Sequence, residues 1–168
     1  AYDQLIHDVA LQNLNVTFAI DRAGLVGEDG PTHSGNYDLV YLRCIPNMIV
    51  MTPSDENETR KLLTTGFFHN GPASIRYPRG SGPNVVVENE LSPVEIGKGR
   101  LIKEGSKDLI VINFGALLDQ AEEVADTLGL TLIDMRFVKP LDEDILRKYL
   151  SDAQAFVSIE DGSVAGGA

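Results

Sequence analysis

Val16-Thr17-Phe18-Ala19-Ile20-Asp21-Arg22-Ala23-Gly24-Leu25-Val26-Gly27-Glu28-Asp29-Gly30-Pro31-Thr32-His33-Ser34-Gly35-Asn36-Tyr37 is the stretch on which the reading of the fold turns. Its first five residues are an apolar run that predicts a buried strand, ended abruptly by Asp21. Gly24, Gly27, Gly30 and Gly35 then open a loop in which few side chains would obstruct a closely held ligand. Arg22, Asp29, Thr32 and His33 sit among them: one cation, one carboxylate, one hydroxyl and one imidazole. A loop that leaves the carboxyl end of a buried strand is where open α/β sheets bind ligands. The loop is therefore the candidate active site.

The flanking sequence repeats the same alternation. Tyr2, Leu5, Ile6, Val9, Ala10 and Leu14 recur at helical spacing and predict a helix over residues 2–13 with one buried face. A short helix is expected at 38–43 and a second buried strand at 48–51, closed by Thr52-Pro53. Ser54 fits a helix N-cap, with Asp55 and Glu56 in the first turn where carboxylates favour the helix dipole. That helix should run to Phe68 and stop at His69-Asn70-Gly71-Pro72, and a third strand follows at 73–77. Residues 81–93, opened by Gly80-Ser81-Gly82-Pro83, carry turn residues without helical period and read as a linker between units at 1–80 and 94–168. The second unit predicts strands at 101–103, 108–114, 130–134 and 155–159, with helices at 117–128 and 142–150. The fold class is α/β, with two consecutive units whose mostly parallel sheets are covered by helices.

Bulk properties exclude several partners. The chain has 168 residues, 43% of them hydrophobic, and carries 25 acidic against 14 basic side chains for a net charge of −11. With no basic block longer than two residues, neither nucleic acid nor an anionic membrane surface is an expected partner. No apolar run approaches the roughly 20 residues of a membrane span. The single cysteine, Cys44, cannot form an intramolecular disulfide and gives no zinc pattern; it reads as a small buried hydrophobe. Residue 1 is not Met, and the closing Asp161-Gly162-Ser163-Val164-Ala165-Gly166-Gly167 turn precedes no helix, so the chain is expected to be part of a longer protein.

The motif Asp21-Arg-Ala-Gly-x-Val-Gly-x-Asp-Gly-x-Thr-His-x-Gly35 resembles the signature of the 1-deoxy-D-xylulose-5-phosphate synthases, thiamine-diphosphate enzymes of the transketolase superfamily. Four further stretches agree in order and spacing: Ala1-Tyr-Asp-Gln4, Arg43-Cys-Ile-Pro46 with Thr52-Pro-Ser-Asp-Glu-Asn57, Arg76-Tyr-Pro-Arg-Gly80, and Met135-Arg-Phe-Val-Lys-Pro-Leu-Asp142. Together they cover essentially the whole chain. Transketolase and the β subunits of 2-oxo acid dehydrogenases share the layout without these motifs. The resemblance implies a partial pyrimidine-binding domain followed by a truncated transketolase C-terminal domain. It also implies a homodimeric enzyme of the bacterial cytoplasm or plastid stroma that uses thiamine diphosphate and Mg2+. Its substrates would be pyruvate and D-glyceraldehyde 3-phosphate, and its product would feed isoprenoid, thiamine and pyridoxal biosynthesis. The main cofactor and metal ligands would lie upstream, so none is assigned here and the chain alone should be inactive. Alternatives are another transketolase-superfamily enzyme with a different acceptor, or a non-catalytic α/β module that binds a phosphorylated ligand or a partner protein.

Within that resemblance, His33 and Asp29 are the candidate catalytic residues, and Arg22 and Arg79 the candidate substrate-binding residues. A guanidinium binds phosphate oxygens bidentately, and imidazole ionises near neutral pH. Both arginines follow predicted parallel strands, so one site can use both. Each residue also has a plainer role open to it. His33 can be a surface histidine, Asp29 a turn former, and Arg22 a structural partner of Asp21 or Asp29. Arg76 competes with Arg79 for the anchor, and Arg79, beyond the strand end, is preferred. His7 and His69 read as surface residues on helices. Asp55, Glu56 and Glu58 read as a solvated helix start, Arg136 and Lys139 as domain-packing residues, and Glu160-Asp161 as a strand end without catalytic argument.

Overall fold

A computed structural model describes all 168 residues. The chain opens with a single α-turn, Tyr2–Gln4, that runs directly into a π-helical stretch, Leu5–Ala10; together they are α1. The remaining elements are β1 (Thr17–Ile20), α2 (Asp38–Arg43), β2 (Ile49–Met51), α3 (Glu56–Phe68), β3 (Ala73–Arg76), β4 (Arg100–Lys103), β5 (Ser106–Phe114), α4 (Leu118–Leu128), β6 (Leu130–Asp134), β7 (Phe137–Lys139), α5 (Glu143–Leu150) and β8 (Ala155–Glu160).

Two four-stranded sheets result, in the orders β1-β3-β2-β7 and β4-β6-β5-β8. β1, β3 and β2 run parallel, as do β6, β5 and β8, whereas β7 and β4 are antiparallel edge strands. β4 and β5 follow one another in sequence, yet β6 lies between them in the sheet. β7 has no counterpart among the predicted strands. It is three residues long and pairs with β2 from the other end of the chain, with Val50 opposite Lys139 and Met51 opposite Phe137. Its partner, not its own pattern, makes it a strand.

One apolar core joins the two sheets. Leu39, Leu42 and Val50 from the first unit pack in a single cluster with Ile110, Ile133 and Tyr149 from the second, all essentially inaccessible. Each such side chain contributes about 1.5–3 kcal/mol by leaving water. Leu62 of α3 packs beneath the first sheet against Met51, Ala73 and Ile75. Ala121 and Ala125 of α4 bring that helix close to Val111 and Leu132 of the second sheet.

Helix ends follow local chemistry, with one shift. Asp55, rather than Ser54, caps α3, its carboxylate accepting from the Glu58 amide at 2.7 Å. Ser54 is buried and donates to Asp134 across the two units at 3.0 Å. Asp142 caps α5 through the Ile145 amide, and Gly129 ends α4 at φ 65°, a left-handed conformation suited to glycine. Residues 81–93 have no regular structure and lie along α3, where Lys61 and Asn57 bond to Glu88 and Arg60 donates to the Asn89 carbonyl.

Two further sequence expectations are overturned. Cys44 is exposed: Leu42 and Ile45 take the inward positions at the end of α2, leaving the thiol to donate to the Tyr41 carbonyl at 3.1 Å and to face the Tyr2 hydroxyl at 3.2 Å. Glu58 is not a solvated charge but is 1% exposed, enclosed by Arg136 and Arg100. Arg136 and Lys139 do pack the units together, the latter donating to the Arg43 carbonyl at 3.1 Å and to that of Ile45 at 2.5 Å.

Candidate active site

The candidate loop is positioned by the pairing of β1 with β3. These neighbours run parallel with Ile20 opposite Arg76, so the chain leaves both strands on the same edge of the sheet. The ladder continues beyond the strands through Tyr77 N–H to the Ile20 carbonyl and Ala23 N–H to the Tyr77 carbonyl, both 3.0 Å. Gly24 and Gly35 then exchange backbone hydrogen bonds of 3.2 and 2.9 Å, which closes the loop at its base. A Cβ on Gly35 would lie 2.2 Å from the Arg22 carbonyl oxygen, so only glycine permits this closure.

The closed loop brings three of the four predicted residues together. Arg22 Nε donates to Asp29 Oδ2 at 2.7 Å, and Arg79, arriving from the end of β3, pairs with Asp29 Oδ1. Asp21 is a second partner of Arg22. Both plain alternatives for Arg22 are thus present, together with its convergence with Arg79 on Asp29. Arg79, and then Arg22, hold the Asp29 carboxyl down to about 2, well below the usual carboxylate range. Asp29 in turn raises Arg22 above its ordinary value. A cavity of about 320 Å³ opens beside the pair, lined by Ala23, Leu25, Val26, Glu28, Pro78 and Arg79.

His33 is not part of that cluster. It ends a 3-10 turn, Pro31–His33, in an exposed position, and its Nδ1 lies 3.0 Å from the Thr32 hydroxyl. Asp29 is therefore the partner of two arginines and not the orienting partner of His33. Arg76, the rival of Arg79, is buried among two carboxylates and a backbone carbonyl. Its Nε lies 2.8 Å from Asp38 Oδ1, its Nη1 pairs with Asp161, and its Nη2 donates to the Gly35 carbonyl at 2.8 Å. It has no free face for a ligand. Asp38 and Asp161 were not singled out as site residues by sequence, and the available signal was slight: isolated acids at a helix start and a strand end. No group of three or more His, Cys, Asp or Glu side chains in the chain could hold a metal ion, and no helix is long and apolar enough to cross a membrane.

Two α/β units, the first with a glycine-closed loop at the carboxyl edge of its sheet, are an architecture that comparison with known proteins assigns to a transketolase-type chain. The family model for the transketolase pyrimidine binding domain matches residues 1–84, and that for the transketolase C-terminal domain matches residues 97–168. The chain belongs to the transketolase family. It is 61% identical over 168 residues to the 1-deoxy-D-xylulose-5-phosphate synthase of Stutzerimonas stutzeri (strain A1501), covering 100% of this chain and 26% of the relative. It is 59% identical over 167 residues to the enzyme of that name from Pseudomonas fluorescens (strain Pf0-1), covering 99% of this chain and again 26% of the relative. The chain thus spans about a quarter of the length of these relatives. Among solved structures it is similar to a split-gene transketolase described as an inactive β4 tetramer. The TM-score is 0.87 at 31% identity, over 99% of this chain and 55% of that one.

Proposed function

We propose that the chain forms the substrate-loop wall of a thiamine-diphosphate-dependent 1-deoxy-D-xylulose-5-phosphate synthase, a transferase. The reaction joins pyruvate to D-glyceraldehyde 3-phosphate, takes up one proton and releases carbon dioxide. The observation that carries this reading is the convergence of Arg22 and Arg79 on one carboxylate at the sheet edge. Two guanidiniums that share a carboxylate are spaced to share a phosphate, which offers more oxygens and more charge. Asp29 then holds the arginines together when no substrate is present and yields them to the phosphate of the aldehyde.

His33 supplies the proton. The aldehyde oxygen becomes an alcohol when the new carbon–carbon bond forms, and an exposed imidazole on a short turn can donate to it. The Thr32 hydroxyl at Nδ1 orients the ring and leaves Nε2 for the substrate. Thiamine diphosphate, when bound, supplies the electron sink for decarboxylation and bond formation. We place the ligands of Mg2+ and of the diphosphate in the part of the relatives' length that this chain does not match. The same proposal includes a pyrimidine-binding unit at 1–80, a connecting segment at 81–93 and a C-terminal unit at 94–168. It extends to a homodimer in a bacterial cytoplasm or plastid stroma and to no activity of these 168 residues alone.

The test is product formation by the full polypeptide supplied with pyruvate, D-glyceraldehyde 3-phosphate, thiamine diphosphate and Mg2+. Arg79→Ala should raise the KM for the phosphorylated aldehyde about 10- to 100-fold, the loss expected for a charged hydrogen bond. No condensation by the wild type would end the synthase reading. An effect confined to pyruvate would end the assignment of Arg79 to the phosphate.

A further inference from the structure

The buried cluster around Arg76 lies outside the anion site, yet it reaches the base of the candidate loop. Arg76 ends β3 with a side chain 1% exposed, an environment in which an arginine needs charged partners. Asp38 comes from the first residue of α2, and Asp161 from the residue after β8 in the other sheet. The third partner is backbone: Arg76 Nη2 donates to the Gly35 carbonyl at 2.8 Å and to the Asp161 carbonyl at 3.2 Å. Gly35 is the residue whose exchange of hydrogen bonds with Gly24 closes the loop. Asp161 also lies close to that closure, because a Cβ on Gly24 would be 3.0 Å from Asp161 Oδ2.

The roles of the two carboxylates differ. Asp38 accepts from the Leu39 amide at 3.0 Å, and its other oxygen has no hydrogen-bond partner. It supplies charge to Arg76, and its recorded side-chain partners are Arg76 and the Leu39 amide. The Asp161 carboxylate accepts from Nη1 of Arg76 and its backbone carbonyl from Nη2, the edge of the guanidinium that faces the loop, and its side chain occupies the space a Cβ on Gly24 would enter. Burial alone would push the Arg76 guanidinium down, and Asp161 followed by Asp38 outweighs it, so the group lies above its ordinary value and stays charged.

We propose that Asp161 is a positioning residue for the loop at 21–37. Acting through Arg76 and the Gly35 carbonyl, it makes the placement of Asp29 and His33 depend on the docking of the second sheet. The functional part of this inference rests on the reading of the loop as the substrate-binding segment. A purely stabilising ion cluster would alter the melting temperature without singling out the loop. A positioning role has a local signature, because the only backbone group of the loop that Arg76 holds is the Gly35 carbonyl.

Hydrogen exchange with mass spectrometry on the full polypeptide, free of substrate, separates the two. In Asp161→Asn, amide exchange at Gly24 and Gly35 should rise about tenfold while the amides of β5 and β6 keep their rates. Arg76→Lys, which keeps the charge but loses the fork, should give the same pattern. Asp161→Glu should restore slower exchange in part, and it serves as the readout if the Asn variant does not fold. In the condensation assay, Asp161→Asn should lower kcat by up to about 100-fold, the scale of a small misplacement of catalytic groups. Unchanged exchange at Gly24 and Gly35, or a uniform rise across the chain, would overturn the positioning role. If loop exchange responds as expected but the wild type does not condense pyruvate with the phosphorylated aldehyde, the synthase reading fails and the structural coupling stands.

Discussion

Arg136 donates Nε and Nη2 to the two carboxylate oxygens of Glu58 at 2.7 and 2.9 Å, a bidentate pair that joins the turn between β6 and β7 to the first turn of α3. Arg100 approaches the same carboxylate at 3.2 Å and binds Asp134 at 3.0 Å, so two arginines from the second unit enclose one acid of the first. Removing one partner of a buried pair strands the other. Glu58→Gln should therefore destabilise the protein by about 3 kcal/mol, read from urea unfolding midpoints. A change within 0.5 kcal/mol of zero would show that this pair contributes little.

Asp29→Asn should strengthen binding of inorganic phosphate, because the substitution removes the carboxylate that competes for Arg22 and Arg79. The gain should be modest, about fivefold, since the pairs are partly solvated. Calorimetric titration measures it, and weaker binding would show that Asp29 helps to build the site instead of occupying it.

The pH dependence follows from the depressed Asp29 pKa of about 2. A lowered carboxylate pKa gives stabilisation that is complete above the unfolded value near 3.9 and is lost as pH falls through the folded one. Asp29 stays ionised throughout the range from pH 5 to 8. Affinity for a phosphate monoester in that window should follow its own second ionisation near 6, with no inflection from Asp29. A titration of the Asp29 carboxyl carbon by NMR with a midpoint at 4 or above would contradict the two-arginine clamp.

His33→Ala should lower kcat in the condensation assay by about 10²- to 10⁴-fold, the range of a lost general acid, and leave phosphate affinity unchanged. The exposed ring has no contact with Arg22 or Arg79, so the two functions should separate. Unchanged turnover would remove His33 from the reaction.

Gly35→Ala should open the loop. The added Cβ would meet the Arg22 carbonyl carbon and oxygen at 3.0 and 2.2 Å, which backbone cannot accommodate in place. Overpacking of this kind costs about 1–3 kcal/mol. The variant should lose both stability, followed by thermal unfolding, and phosphate binding. Full retention of both would mean that the closure is not needed.

The strands at Thr17–Ile20, Ile49–Met51 and Ala73–Arg76 were legible because apolar runs end at Asp, Pro and Gly, and those signals are local. The same holds for α4, whose apolar spacing and terminal Gly129 lie within its own residues. β7 was not legible, since three residues carry no period and only β2 supplies their hydrogen bonds. In the site, the identities of Arg22, Asp29, His33 and Arg79 could be read from the loop and the strand end, but their grouping could not. Arg79 reaches Asp29 across fifty positions, while His33, four residues from Asp29, turns to Thr32 instead.

The sequence by itself determined the two α/β units, the position of the candidate loop and the family to which the chain belongs. Those depend on neighbouring residues and on short motifs. Tertiary structure alone decided which charges are buried and with whom: Glu58 between two arginines, Arg76 between Asp38 and Asp161, and Arg79 at the surface paired with Asp29. The physical reason is that an ion pair is specified by position in space, and its members here lie up to eighty-five residues apart. A charged side chain carries the same letter whether it is solvated or enclosed; the fold determines which.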